Sequence, residues 1–146
     1  MPTVFITGAS RGIGRAAALL FAGQGYLTAV NYNRSEAEAL SLIDKIRSFG
    51  GHAVAIQGDV SDRCSEMIKK AEDAFGPVDT LINNAGISCD KLFTDTSPED
   101  WSRTFAVNVG GAYNCCRAVL PGMISRKRGS IVNVSSMWGV TGGSCE

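Results

Sequence analysis

Short apolar runs alternate along this chain with stretches whose apolar positions recur every three or four residues, the pattern of strands alternating with helices. Residues 3–7, Thr-Val-Phe-Ile-Thr, form the first run; glycines at 8, 12 and 14 follow, and Ile13, Ala16, Ala17, Leu20 and Phe21 then share one helical face. A second strand, Leu27 to Asn31, leads to Ser35, which can cap a helix start with Glu38 bonding back to it. That helix is expected to bury Ala39, Leu42, Ile43, Ile46 and Phe49 before Gly50-Gly51 ends it. The cycle continues with a strand from His52 to Ile56, a helix from Asp62 to Phe75, and, after Gly76-Pro77, a strand from Thr80 to Asn83. Ser97-Pro98-Glu99-Asp100 combines a capping hydroxyl, proline at the first helical position and acids in the first turn. The long helix it opens carries Trp101, Phe105, Val109, Ala112, Cys116, Val119 and Met123 at helical spacing, and a strand from Ser130 to Val134 closes the series.

Repeated strand-helix units with short, continuous apolar strands predict an α/β protein: a doubly wound, Rossmann-type parallel sheet with helices on both faces. No linker, low-complexity segment or second domain interrupts the 146 residues, so they read as part of one such domain. The run Arg126-Lys127-Arg128 reads as a solvated helix C-terminus favoured by the helix dipole.

Charge narrows the partners. Fourteen basic residues balance fourteen acidic ones, so no global field draws the chain to nucleic acid or an anionic membrane surface, and any anion must be held locally. There is no apolar run of membrane-spanning length, and Met1 to Ile6 lack a basic region or cleavage pattern; a cytoplasmic protein is expected. The five cysteines, with His52 as the one histidine, show no C-x-x-C spacing; reduced thiols and no metal site are expected.

The chemistry concentrates in Thr7-Gly8-Ala9-Ser10-Arg11-Gly12-Ile13-Gly14, between the first strand and its helix. Glycines there let the backbone turn sharply and approach a pyrophosphate, whose charge meets free N–H groups at the helix N-terminus. The plainer alternative is a tight turn that uses glycine for geometry only. At the end of the second strand a carboxylate would hold the 2′-hydroxyl of NAD and repel a 2′-phosphate. The sequence there, Asn31-Tyr32-Asn33-Arg34, has no acid, and Arg11 and Arg34 suit a phosphate's fork geometry, so NADP(H) is favoured; Arg34 reads almost equally well as a surface charge.

The spacing G-x-x-x-G-x-G after threonine, together with Asn83-Asn84-Ala85-Gly86 and Asp59-Val60, resembles the short-chain dehydrogenase/reductase family over residues 3 to about 140. The resemblance implies cofactor contacts at Gly8, Ser10, Arg11, Gly12, Ile13, Gly14, Asn31, Arg34, Asp59, Val60, Asn84, Ala85 and Gly86. Asp59 would accept from the adenine amine, while Ala85 and Gly86 would let the adenosine ribose lie close. A helix-capping or loop role is the simpler reading of Asp59. Asn108 matches the family asparagine that bends the long helix and holds a water in a proton relay, and Ser136 the serine whose hydroxyl holds the substrate carbonyl. The alternatives are a polar residue on an apolar helix and a loop serine satisfying its own backbone.

In the family a Y-x-x-x-K pair follows that serine, but Met137 to Glu146 contain neither tyrosine nor lysine. Tyr113-Asn114-Cys115-Cys116-Arg117 has arginine at the lysine position and lies inside the long helix, so it reads as packing. The chain is therefore expected to be the N-terminal part of the family's domain, incomplete on its C-terminal side, with the fifth strand an exposed edge and little or no activity by itself. Among family members the motifs look most like 3-oxoacyl-acyl-carrier-protein reductases. That implies a carrier-bound or small-molecule ketone substrate and a homotetrameric whole protein. The reductase of the aminopentanone group on elongation factor P is a second family reading. A non-catalytic NADP-binding module, or half of a split protein, is the alternative of another class.

Overall fold

A computed structural model describes residues 1–143 and 145. Five parallel strands, β1 (Thr3–Ile6), β2 (Leu27–Tyr32), β3 (His52–Gln57), β4 (Val78–Asn83) and β5 (Ser130–Asn133), pair in the order β3-β2-β1-β4-β5. The sequence placed all five within two residues at each end. Helices α1 (Gly12–Gly23) and α2 (Glu36–Ser48) cover one face of the sheet; α3 (Cys64–Phe75) and α5 (Gly111–Arg126) cover the other. Alternation along β1 feeds both layers: Val4 and Ile6 pack with Val30, Leu42 and Ile46, while Phe5 packs with Met67, Leu81 and Val119.

The helix faces differ from the sequence reading in three places. In α1 the buried residues are Gly14, Ala18 and Ala22, whereas Ile13 and Leu20 are 67% and 61% exposed. At Gly14 the turn from β1 brings this helix into backbone contact with the strand ends, while Ala17 and Phe21 of the expected face pack partly buried against the core. In α2 Ala39, Leu42, Ile43 and Ile46 are buried as expected, but Phe49 lies past the helix and is exposed. Ser35 stands at the N-cap there without a side-chain capping bond, so the expected capping box does not form.

The third difference is in the long helix. The start signal at Ser97 is real: α4 (Pro98–Phe105) opens with a capping box in which Ser97 and Asp100 exchange bonds. Residues 106–110 then widen into a π-helical turn before α5. The extra residue rotates the buried stripe onto Val107, Gly111, Cys115, Val119 and Met123 and leaves Trp101, Phe105 and Val109 about half exposed, the two rings stacked at 4.6 Å. The helix ends at Lys127 in a left-handed conformation. The basic run is tied back rather than simply solvated: Arg126 donates to the Val78 carbonyl at 2.8 Å and Arg128 pairs with Asp79.

Between α3 and α5, Cys64 and Cys115 are buried in contact, Cys64 donating to the Val60 carbonyl. That contact lowers the Cys64 pKa, and the same contact with burial raises that of Cys115. The final turn, α6 (Trp138–Thr141), follows β5 and is exposed.

Candidate cofactor cleft

The sheet reverses its order between β1 and β4, and the carboxyl ends of strands flanking such a reversal leave a crevice where α/β proteins bind ligands. A cleft of 540 Å³ lies there. Its floor is stitched by Thr7, whose Oγ1 accepts from the main-chain N–H groups of Asn84 and Ala85 at 2.9 Å each, and by Asn84, whose Nδ2 donates to the carbonyls of Thr7 and Gly8 at 3.0 and 3.1 Å. The tie between strand ends expected of the asparagine pair is thus divided: Asn84 joins β4 to the glycine loop, and Asn83 joins β4 to β5 by donating to Asn133 Oδ1 at 2.8 Å. Among the described residues the Asn83 Oδ1 atom has no partner; it is buried beside a smaller recess of 180 Å³.

The glycine loop takes its shape from these ties. Gly8 has a φ of +60°, and a Cβ there would stand 2.9 Å from the Ala85 Cα. A Cβ on Gly14 would stand 2.5 Å from Asn84 Nδ2 and 2.7 Å from the Gly8 carbonyl oxygen, so the helix start and the loop lie in direct backbone contact. Gly12, at φ +57°, meets nothing within 4 Å and faces open space. Among the described residues no side chain caps α1, so its first-turn N–H groups are open to an outside acceptor.

Gly8, Ser10, Arg11, Asn31, Arg34, Asp59, Val60, Asn84, Ala85 and Gly86 all line the cleft; Gly12, Ile13 and Gly14 do not. Ile13 offers only its main chain, because its side chain is on the exposed side of α1. Asn31 is 2% exposed and works from beneath: its Oδ1 accepts from the Gly8 N–H, and its Nδ2 donates to the carbonyls of Ile56 and Gly58. The loop is thereby tied to β3. Arg11 and Arg34 are exposed at the rim, and among the described residues neither guanidinium has a partner.

At the other end of the cleft Asp59 gathers four donors. Its Oδ1 accepts from the Ser61 N–H at 2.9 Å and the Ser61 hydroxyl at 2.8 Å; its Oδ2 accepts from Asn33 Nδ2 at 3.1 Å and from Arg103. Burial pushes this carboxyl up, but the Ser61 amide, the Arg103 guanidinium and the Ser61 hydroxyl together hold it down to about 2. Arg103 and Asn33 were missing from the residues singled out in the sequence. Arg103 stands 44 positions from Asp59, and no local pattern links the two; the packing of α4 over the β3–α3 turn does.

Asn108 lies in the π-turn, where its Oδ1 accepts from the Ile87 N–H and its Nδ2 donates to the Ile87 carbonyl, both at 2.8 Å. This reciprocal pair fixes the backbone just beyond Gly86. Asn108 and Ser135 line the smaller recess together. Ser136 stands one residue beyond it, exposed, with its Oγ accepting from the Trp138 N–H at 3.2 Å. Among the described residues no group of three or more histidine, cysteine or acidic side chains gathers as a metal site would require, and no helix is long and apolar enough to cross a membrane.

The short chain dehydrogenase family model matches residues 2–145. A 3-oxoacyl-[acyl-carrier-protein] reductase of Staphylococcus epidermidis is 40% identical over 142 residues, 96% of this chain and 58% of the relative. The 3-oxoacyl-[acyl-carrier-protein] reductase of a Synechocystis strain is 40% identical over 139 residues, 94% of this chain and 56% of the relative. A short chain dehydrogenase from Mycobacterium avium has a crystal structure that superposes with a TM-score of 0.90 at 33% identity, covering 99% of this chain and 56% of its own. This chain therefore spans little more than half the length of the relatives it matches, and it belongs to the short-chain dehydrogenase family.

Proposed function

We propose that these residues hold NADP(H) and form the cofactor-binding portion of a cytoplasmic, homotetrameric reductase that transfers hydride to a ketone, with a 3-oxoacyl thioester on a carrier protein as its substrate class. The observation that carries the reading is the cleft at the β1/β4 reversal: a glycine loop pressed against Ala85, an open face at Gly12, and two arginines, without a partner among the described residues, at a rim with no acid at positions 31–34. Those features fit a phosphorylated dinucleotide, with the N–H groups at the start of α1 and Ser10 toward the pyrophosphate, Arg11 and Arg34 toward a 2′-phosphate, and Asp59 and Val60 at the base. The substrate class is supported by two of the relatives, which are 3-oxoacyl-[acyl-carrier-protein] reductases.

When bound, the cofactor supplies the hydride. The chain's own residues orient it and the carbonyl. Asn108, by gripping Ile87 on both its N–H and its carbonyl, holds the segment after Gly86 against the cleft. The Ser136 hydroxyl keeps its proton available as a donor to a substrate carbonyl oxygen, since its one bond among the described residues is an accepted one. The proton-donating Tyr-Lys pair of the family is assigned to sequence outside these 146 residues.

Calorimetric titration of the chain tests the cofactor: NADPH is expected to bind at least about tenfold tighter than NADH, the scale of one charge-assisted contact, and tighter binding of NADH would overturn the assignment. Reduction of an acetoacetyl thioester by NADPH is expected from a chain extended with the C-terminal portion of the Staphylococcus epidermidis relative, and not from these residues alone. Turnover by the unextended chain would refute the claim that the Tyr-Lys pair is required from elsewhere.

A further inference from the structure

On the NADP(H) reading Asp59 would accept from the amino group of an adenine, yet its carboxylate has no acceptor site to spare. A carboxylate offers about four lone-pair sites, and Asp59 fills them with two bonds from Ser61, one from Asn33 and one from Arg103. A base can enter only by exchange. The Ser61 bonds close the local turn at the start of α3 and stay with it. Arg103 gives a charge-assisted bond and also donates to the Ser61 hydroxyl at 3.0 Å, so its departure would break two contacts at once. Asn33 gives a single neutral bond at 3.1 Å from an exposed position at the end of β2, and it is the cheapest donor to lose.

Its neighbourhood says where that donor goes. Asn33 lines the same cleft as Arg34 and Ser35, at the strand end where the 2′ position of an adenosine ribose is read. We propose that Asn33 is an exchange residue: the adenine amine replaces it on Asp59, and the released amide donates to the 2′-phosphate, so that one side chain couples recognition of the base to recognition of the phosphate. The proposal rests on the NADP(H) reading above.

Titration of the full chain and of Asn33→Ala with NADPH and with NADH tests it. The variant is expected to bind NADPH about tenfold more weakly, the worth of one hydrogen bond at the upper end of its range. NADH should bind unchanged or tighter, because the acceptor on Asp59 is already vacant. The preference for NADPH therefore drops by at least about tenfold, a ratio that a merely supporting role for Asn33 would not move. Equal weakening toward both nucleotides would overturn the exchange while leaving the cofactor reading intact; an unsubstituted chain that binds neither nucleotide would overturn the cofactor reading itself. A second measurement needs no variant: the Asn33 side-chain amide signals should shift when 5′-AMP is added and shift again with adenosine 2′,5′-bisphosphate. No movement with 5′-AMP would refute the proposal.

Discussion

Gly12 and Gly14 sit two positions apart in one loop and should respond very differently to an added methyl group. At Gly14 it would collide with Asn84 Nδ2, the Gly8 carbonyl and the Ala9 Cα, none farther than 2.9 Å, and none of them free to move without opening the strand ends. Gly14→Ala should cost about 1–3 kcal/mol by overpacking and abolish nucleotide binding. Gly12→Ala meets open space and only backbone strain, about 1–2 kcal/mol, so thermal melts should rank it the milder of the two. Asp59 makes a prediction about acid. Its carboxyl is held at about 2 against an ordinary 3.8, so its contribution to stability is complete above the ordinary value and is lost as the pH falls through about 2. Arg103→Gln removes the charged donor and lets the carboxyl rise. The acid limb of the unfolding curve should then lose steepness below pH 3.8, measured by circular dichroism at fixed temperature.

At the scale of the element, the long helix shows how far periodicity reaches. A single 3.6-residue period drawn from Trp101 to Met123 is correct at Val119 and Met123 and wrong at Trp101, Phe105 and Val109, because the π-turn at residues 106–110 inserts a residue of phase between the two ends. Nothing in the hydrophobic pattern marks that insertion. Asn108 was singled out from a resemblance, and its geometry explains why a bend there is useful: the widened turn carries a side chain to both polar groups of Ile87. Asn108→Ala should remove both bonds, cost about 1–2 kcal/mol, and speed hydrogen exchange at the Ile87 amide while leaving exchange in α5 unchanged. Unaltered Ile87 exchange would show that the loop is held by other contacts.

For the whole molecule, β5 is a terminal strand of the sheet, with Ser130, Val132 and Asn133 exposed and Ile131 only partly covered. Val132 and Val134 are 49% and 41% exposed, and Met137, Trp138 and Val140 extend the apolar surface beyond them. An unpaired edge of this kind templates pairing with other chains. The chain by itself is expected to associate with rising concentration, and Val132→Lys should raise the concentration at which light scattering appears without changing NADPH affinity, because the cleft lies at the ends of β1 to β4 and Val132 of β5 does not line it. Loss of binding in that variant would mean that the edge supports the cleft.

The order of strands and helices, the glycine loop and the helix start at Ser97 were legible in the sequence because each is local: a run of apolar residues, a spacing of glycines, or a hydroxyl, a proline and acids within one helical turn. Most of the cleft lining was legible for the same reason, since Gly8 to Arg11 and Asn84 to Gly86 are contiguous stretches at strand ends. Contacts between segments distant in the chain were not. Small residues rather than Ile13 and Leu20 face inward on α1 because the helix start touches Asn84, some 70 positions away. Arg103 reaches Asp59, and Asn31 holds Gly8 to β3, only once the sheet has brought those elements together. Local physics chose the elements and the loop that faces the ligand; how donors and acceptors are shared around that loop was decided by packing, because a hydrogen bond depends on distance in space and not on distance along the chain.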